Sequence, residues 1–369
     1  MGLLDIVRRF DREAGRPADL AIVGTAKNVG KTTTLAWLLE RLDDAPLGLT
    51  SVGRDGEDID AVTDLPKPRV EPPAGTLVAT SETSARRSRA QLALVRETSF
   101  RTALGPVGIY RASGLGPVEV SGPVTVDDAA RVRELLHDLG AARVLVDGAI
   151  DRRASASARV ADGVILATGM ALLDSGGARL SARARAGQIV TEAPEVPGSE
   201  AERIAAVARR SAEILRMLAL PGGGRRDAGA PGAGASAGAI LPDGAFVPWT
   251  GPQVLDHADL LVEWLPPEAE ALVLAGALTE RVAQALMAVR GRRLDLVVPD
   301  GTHVLCSAEA FERLAARGVA LRAASPIAVL AVTVNPTSPH APGADPARLL
   351  AALREALTPV PTFDLIAAP

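Results

Sequence analysis

The chain has 369 residues, of which 47% are hydrophobic and 23% are charged, and this composition suits one large or two medium globular domains. The net charge of −4 gives no global electrostatic reason to bind nucleic acid, so no nucleic-acid partner is expected. A single cysteine, Cys306, excludes an intrachain disulfide framework and a cysteine-based zinc cluster.

The distribution of apolar residues predicts no association with a membrane. Residues 1–20 are amphipathic and charged, without the apolar centre of a signal peptide. No run of about 18 uninterrupted apolar residues is found that would predict a spanning helix. We therefore expect a soluble, cytoplasmic protein.

The first specific signature is an apolar segment, residues 20–23, followed by a loop and by a helix predicted over residues 32–42. Gly24, Gly30, Lys31 and Thr32 match the phosphate-binding pattern G-x-x-x-x-G-K-[ST]. Glycine allows the backbone conformations and the close approach that let successive N–H groups surround an anion. The positive end of the following helix adds to this attraction. The pattern predicts Lys31 on the β- and γ-phosphates and Thr32 on Mg²⁺.

The predicted nucleotide-binding residues form one continuous run. They are Gly24, Thr25, Ala26, Lys27, Asn28, Val29, Gly30, Lys31, Thr32 and Thr33. Lys31 and Lys27 are also candidate catalytic residues, because the 40 basic residues include only three lysines and two of these lie in the loop. A compact ammonium differs functionally from a planar guanidinium, which favours a specific role for lysine here.

Acidic residues follow two predicted strands and are candidate Mg²⁺ ligands. Asp55, with Glu57 and Asp58 close by, follows a strand predicted over residues 47–52. Asp147 ends the apolar run RVLV, where nucleotide hydrolases place a Mg²⁺-binding acid, so Asp147 is a candidate catalytic and metal-binding residue. At both places a solvated turn is the alternative interpretation.

Recognition of the base is less well specified. The guanine-reading element [NT]-K-x-D needs a lysine, and the only lysine outside the loop is Lys67, in LPKPR. The absence of that element favours ATP, and we expect ATP and Mg²⁺ as cofactors. Asn335 follows a strand predicted over residues 328–334 and is a candidate nucleotide-binding residue, although an Asn before Pro also initiates turns.

Composition divides the chain near residue 220. Residues 221–239 are rich in Gly, Ala and Pro and almost lack bulky apolar side chains, which predicts a flexible linker. Alternating apolar strands and helices on both sides predict an α/β fold with mainly parallel sheets. We expect a P-loop NTPase domain over residues 1–220 and a second α/β domain over residues 240–369.

Within the first predicted domain, a helix is predicted from residue 81 or 83 to Glu97.

Five phrases occur in the order VGTAKNVGKTT, SVGRDGE, LVDGAIDR, ADGVILATG and VTVNPTSP. Together they resemble the ATP-binding subunit of lysine 5,6-aminomutase reactivase, a P-loop protein of the dethiobiotin synthetase/MinD-like class. The resemblance implies a chaperone-like ATPase that works with a MutS-like partner subunit. It further implies that the two restore an adenosylcobalamin-dependent aminomutase after its cofactor is damaged.

The position of Lys27 leaves its role open. A second loop lysine resembles the nucleotide switches of this class, but in their best-known loop that lysine directly follows the first glycine. Here Thr25 and Ala26 intervene. Lys27 either acts across a homodimer or helps to neutralise phosphate in its own chain.

Two other functions remain open from the sequence. One is a small-molecule ATP-dependent ligase or kinase like dethiobiotin synthetase, with Asp55 or Glu57 near an acceptor. The other is a nucleotide-gated adaptor, such as the GTP-binding accessory protein of molybdenum cofactor synthesis. A preference for ATP over GTP would count against the adaptor.

Overall fold

The computed structural model describes residues 2–42, 45–52, 70–113, 116–149, 156–174, 198–222, 235–289, 291–338 and 345–367. The chain forms two compact units. The first comprises Met1–Leu215 and Ala328–Pro369, and the second comprises Arg216–Ile327.

The described residues contain ten α-helices and fourteen strands, which are numbered separately in chain order. The strands are β1 (Leu20–Gly24), β2 (Leu47–Ser51), β3 (Leu77–Ser81), β4 (Leu92–Thr102), β5 (Gly105–Ala112), β6 (Arg143–Ala149), β7 (Gly163–Gly169), β8 (Ala237–Ile240), β9 (Phe246–Pro248), β10 (Ala271–Leu274), β11 (Leu294–Val298), β12 (Val319–Ala323), β13 (Ala328–Asn335) and β14 (Thr362–Phe363). The helices are α1 (Leu3–Ala14), α2 (Lys31–Arg41), α3 (Glu82–Arg87), α4 (Val126–Asp138), α5 (Ala171–Asp174), α6 (Glu200–Leu218), α7 (Ala258–Trp264), α8 (Glu280–Leu286), α9 (Ala308–Ala316) and α10 (Pro346–Leu357).

The first unit is organised around a nine-stranded sheet in the order β14-β13-β7-β1-β6-β2-β3-β5-β4. The seven strands from β14 to β3 are parallel, and β5 and β4 are antiparallel additions at one edge. Every residue of β1 and β7 is buried. Strands that are covered on both faces read as continuous apolar runs, which is why residues 20–23 show no alternation. The predicted α/β fold with a mainly parallel sheet is confirmed.

Helix α2 packs on the sheet against β1. Its buried stripe of Leu35, Leu38 and Leu39 joins the same core as Leu20 and Ile22 of β1. Full burial of one leucine side chain stabilises a fold by about 1.5–3 kcal/mol, so this stripe fixes the helix firmly on the sheet. Among the helices of the described residues, none has the length and apolar character that crossing a membrane requires.

The second unit has its own five-stranded sheet, in the order β12-β11-β10-β8-β9. Strands β10, β11 and β12 are parallel, and β8 is antiparallel to both β10 and β9. Its core includes Leu272, Leu286, Leu296 and Leu314. This unit therefore buries an apolar core of its own.

The predicted extent of the C-terminal domain, residues 240–369, is wrong. Strand β13 pairs in parallel with β7, and β14 pairs with β13, so these two strands complete the first sheet. Ala331 and Val332 of β13 are fully buried there. The first unit also ends at Leu215 in its first segment, before the expected boundary at residue 220.

Two local predictions also differ from the structure. Residues 237–239, expected in the linker, belong to strand β8, where Gly238 leaves room for the ring of Phe246; residues 223–234 lie outside the described part. The helix predicted to reach Glu97 ends at Arg87, and residues 92–102 form β4. Pairing with β5 and the β-favouring side chains Val95, Thr98 and Phe100 explain the strand.

Candidate phosphate-binding site

The candidate site lies at the edge where the parallel strands of the first sheet end. β1 ends at Gly24, β13 ends at Asn335, and Asp147 lies near the end of β6. Asp147 is in register with Ile22 of β1 on one side and with Ser51 of β2 on the other. In open α/β sheets, ligands bind outside the carboxyl ends of the strands, so this edge is where a site is expected.

Residues 24–32, here called the glycine loop, adopt conformations that additional side-chain atoms would obstruct. A Cβ added to Gly24 would lie 3.1 Å from Val29 Cγ2 and 3.2 Å from the carbonyl oxygen of Ala26. Gly30 has φ +91, and Asn28, with φ 59, is the only non-glycine residue of the described chain with positive φ. Glycine and asparagine tolerate this left-handed region best. The backbone at Gly24 and at Gly30 thus disfavours any residue that has a Cβ atom, which explains why the sequence pattern has glycine at both positions.

The glycine loop is anchored to β7 through hydrogen bonds. The Thr25 N–H donates to the carbonyl oxygen of Ala167 at 2.8 Å. The Thr25 hydroxyl donates to Thr168 Oγ1 at 3.0 Å, and that hydroxyl lies 2.6 Å from Ser211 Oγ on α6. Val29, which is 1% exposed, packs with Ala167 in a small apolar cluster. The loop is therefore fixed on β7 both by the hydrogen bonds of Thr25 and by the apolar packing of Val29.

Helix α2 begins directly after Gly30, which provides no side-chain cap. Its first turn contains no acidic residue, so no carboxylate of that turn offsets the positive end of the helix. The Thr34 hydroxyl donates to the Gly30 carbonyl oxygen at 3.1 Å and contacts Thr333 Oγ1 on β13 at 2.7 Å. The start of α2 is thus fixed in position, and its N–H groups suit an anionic ligand.

Lys31 and Asp147 meet in an ion pair, with Lys31 Nζ 3.1 Å from Asp147 Oδ1. The side chains are 16% and 10% exposed, so water screens the pair only partly. The Val52 N–H donates to the Asp147 carbonyl oxygen at 3.2 Å, which places the chain leaving β2 beside Asp147. The candidate phosphate-binding lysine and the candidate metal-binding aspartate are therefore in direct contact.

The other predicted residues take different positions. Lys27 is exposed, whereas Thr32 and Thr33, in the first turn of α2, are partly buried. The predicted Mg²⁺ ligand Asp55 lies outside the described residues, as do Glu57 and Asp58.

The donor set suits a Mg²⁺ ion bound together with phosphate. Thr32 supplies a hydroxyl oxygen and Asp147 a carboxylate oxygen, and Mg²⁺ in nucleotide sites is typically held by one or two such ligands plus phosphate oxygens. In the described part of the chain, no group of three or more His, Cys, Asp or Glu side chains is arranged to hold a metal ion.

Asn335 lies next to the glycine loop at the end of β13. Its Nδ2 donates to the carbonyl oxygen of Asn28 at 3.1 Å. A shallow groove adjoins these residues, and its lining includes Thr33, Leu365 and Ile366. The loop, the start of α2 and the C-terminal segment of the chain therefore share one surface.

Sequence reasoning did not identify the hydroxyl groups that support the loop and the start of α2: Thr168, Ser211 and Thr333. The one available signal was that Thr168 and Thr333 lie at or near the ends of apolar strand segments, ILAT and VTV. Nothing in the sequence near Ser211 distinguishes its hydroxyl from that of an ordinary helix residue.

The chain was compared with protein-family models, curated proteins and solved structures, and no match was found in any of the three comparisons.

Proposed function

We propose that residues 24–33 bind the triphosphate of ATP, and that the chain is a P-loop ATPase with an NTPase domain and a second α/β domain. The observation that carries the proposal is the contact of Lys31 with Asp147 beside a glycine-bounded helix start. A triphosphate suits this arrangement, because backbone N–H donors, a helix dipole and an ammonium all favour negative charge.

The proposed tasks are neutralisation of phosphate charge and binding of Mg²⁺. Lys31 neutralises oxygens of the β- and γ-phosphates. Thr32 and Asp147 hold Mg²⁺, which supplies further charge neutralisation when it is bound, and Asp147 also aligns the attacking water. Asp55 remains a proposed third contributor to Mg²⁺ binding. Lys27, exposed on the same loop, adds positive charge either in its own chain or across a homodimer.

We further propose that ATP turnover serves a partner. The partners are a MutS-like subunit and an adenosylcobalamin-dependent aminomutase, and the cofactor-damaged aminomutase is reactivated by the complex. The support is the resemblance of the five sequence phrases, two of which meet in the fold through Lys31 and Asp147. Such coupling requires the ATP and product states to differ in affinity for the partner.

Removing the Lys31 ammonium tests the phosphate site. The Lys31→Ala variant should lose ATP hydrolysis and bind ATP at least about tenfold more weakly, because a charge-assisted contact to phosphate is lost. Lys67→Ala is the matched control, because Lys67 is the only lysine outside the glycine loop. Calorimetric titration with ATP and Mg²⁺, together with a phosphate-release assay, measures both quantities.

Normal ATP hydrolysis by Lys31→Ala would show that the proposal is wrong. Lys67→Ala should match the wild-type protein in both assays. Tighter binding of GTP than of ATP in the same titrations would favour the nucleotide-gated adaptor instead. Phosphate release that requires a small carboxylate or amine would favour the ligase or kinase.

A further inference from the structure

The backbone of Asn335 is fixed against β7. Asn335 is in register with Gly169, and the Met170 N–H donates to the Asn335 carbonyl oxygen at 3.1 Å. A Cβ added to Gly169 would overlap that carbonyl oxygen. The position from which the Asn335 side chain projects is therefore set by the sheet.

Hydrogen bonds also fix the orientation of the Asn335 amide. Its Oδ1 accepts from the Thr337 N–H at 3.2 Å and from the Thr337 hydroxyl at 2.8 Å. Its Nδ2 donates to the Asn28 carbonyl oxygen at 3.1 Å. A flipped amide would set its NH₂ group against the Thr337 N–H, so the network itself determines the orientation.

Asn335 contacts the two residues of the glycine loop that have left-handed backbone conformations, Asn28 and Gly30. Asn28 has φ 59 and Gly30 has φ +91. The Asn335 amide holds the carbonyl of Asn28, and a Cβ added to Gly30 would lie 3.0 Å from Asn335 Cβ. Left-handed backbone costs about 1 kcal/mol for a residue with a Cβ, so an external contact that favours it stabilises the loop conformation. Asn28 and Asn335 are also the only two asparagines of the chain.

We infer that Asn335 is a positioning residue that keeps the glycine loop in its anion-binding conformation, and that it does not read the base. This inference rests on the proposed function, because the loop is taken to bind the triphosphate. Holding the Asn28 carbonyl toward β13 keeps a partial negative charge away from the bound phosphates. Loss of the contact therefore weakens binding of the phosphate chain, whatever base is attached to it.

Binding of ATP and of inorganic tripolyphosphate, each with Mg²⁺, tests this role in the full chain. Asn335→Ala should weaken both ligands by the same factor, about five- to tenfold, since one hydrogen bond that favours the competent loop is lost. Asn335→Asp, which keeps the size and the acceptor oxygen Oδ1 but replaces the donor NH₂ with a charged oxygen that cannot donate to Asn28, should weaken both at least as much. Gln253→Ala, which removes an exposed amide in the second unit, is the control and should change neither affinity.

The outcomes separate this inference from the proposed function. If wild-type protein binds neither ATP nor tripolyphosphate, the proposed function is wrong and the inference falls with it. If wild-type protein binds both and Asn335→Ala weakens only ATP, Asn335 reads the nucleoside and the inference alone is wrong. Loss of the folded circular-dichroism signal in both variants would also overturn it, because Asn335 would then determine the fold. Equal weakening with an unchanged unfolding midpoint supports it.

Discussion

Lys31 and Asp147 are each other's counter-ions at a separation of 3.1 Å. Two opposite charges at this distance attract more strongly in a partly buried position than at the surface. Under the proposed function, a bound phosphate competes with Asp147 for Lys31, and Mg²⁺ competes with Lys31 for Asp147. Phosphate and Mg²⁺ together replace both sides of the pair, whereas either ligand alone replaces only one side. We therefore expect the pair to couple the two binding events.

The Asp147→Asn variant tests this coupling, because it keeps the shape of the side chain and removes its charge. ATP binding without Mg²⁺ should be equal to or tighter than that of the wild-type protein, since Lys31 no longer has a competing carboxylate. The enhancement by Mg²⁺ should fall by about tenfold or more, because a metal ligand is lost. Titrations in Mg²⁺ and in EDTA measure the ratio.

The control for this experiment is Asp259→Asn, which makes the same change of charge at an exposed position of the second unit. This variant should keep the full Mg²⁺ enhancement. If Asp147→Asn keeps it as well, Asp147 does not take part in metal binding.

The elements of the first unit are also joined by charges at the opposite, amino-terminal edge of the parallel strands. Asp162, just before β7, accepts from Arg16 at 2.9 Å, from Arg133 of α4 at 2.8 Å and from the Asp19 N–H at 2.8 Å. Burial raises the pKa of the Asp162 carboxyl, but the hydrogen bonds and the two arginine charges outweigh burial and lower this pKa overall. The ionised form of Asp162 therefore links α4 to the starts of β1 and β7.

This linkage makes the stability of the first unit sensitive to acid. Because the folded pKa lies below the reference value of 3.8, the contribution of Asp162 is complete above that value and is lost as the pH falls through the folded pKa. Asp162→Asn should lower the free energy of unfolding at neutral pH by about 1 kcal/mol. It should also make unfolding less dependent on pH below about pH 4. Urea unfolding at pH 7 and at about pH 3 measures both effects.

Asp127→Asn is the control, because Asp127 pairs with Arg159 at an exposed position and exposed pairs contribute little. Its unfolding curves should follow those of the wild-type protein at both pH values. A pH dependence of Asp162→Asn identical to that of the wild-type protein would contradict the proposed contribution.

Elements whose signals are local were predictable from the sequence, and contacts between distant elements were not. The strand, loop and helix around Lys31 were predicted because the apolar run and the leucine stripe are continuous in sequence. The strand over residues 92–102 was missed because its pairing with β5 decides its conformation. The supports of the loop were missed for a related reason: Thr25 and Thr168 are 143 residues apart, and Asn28 and Asn335 are 307 apart.

At the scale of the whole chain, the second unit is an insertion that begins in the last turn of α6, at Arg216, and ends at Ile327, directly before β13. The composition of residues 221–239 indicated a domain boundary near residue 220. It did not indicate where the second unit ends, because the apolar sequence of β13 is typical of a buried parallel strand and would fit either sheet. Only its pairing with β7 decides that it belongs to the first. Both chain connections of the insertion run through elements that support the glycine loop. Helix α6 carries Ser211, linked to Thr25 through Thr168, and β13 carries Asn335, which donates to Asn28, and Thr333, which contacts Thr34 at the start of α2.

This connectivity bears on how a partner would affect the site, because both segments that lead to the second unit also support the loop. A partner that binds the ATP state and the product state with different affinity must, by linkage, change the affinity for nucleotide by the same factor. We expect the protein to hydrolyse ATP slowly alone and measurably faster with a purified aminomutase and MutS-like subunit. Lys31→Ala should remain inactive in the mixture. Equal turnover with and without the mixture would contradict the proposed partner. The proposed phosphate site would still stand, because it is supported by the contacts around Lys31, whereas the partner is supported only by the sequence phrases.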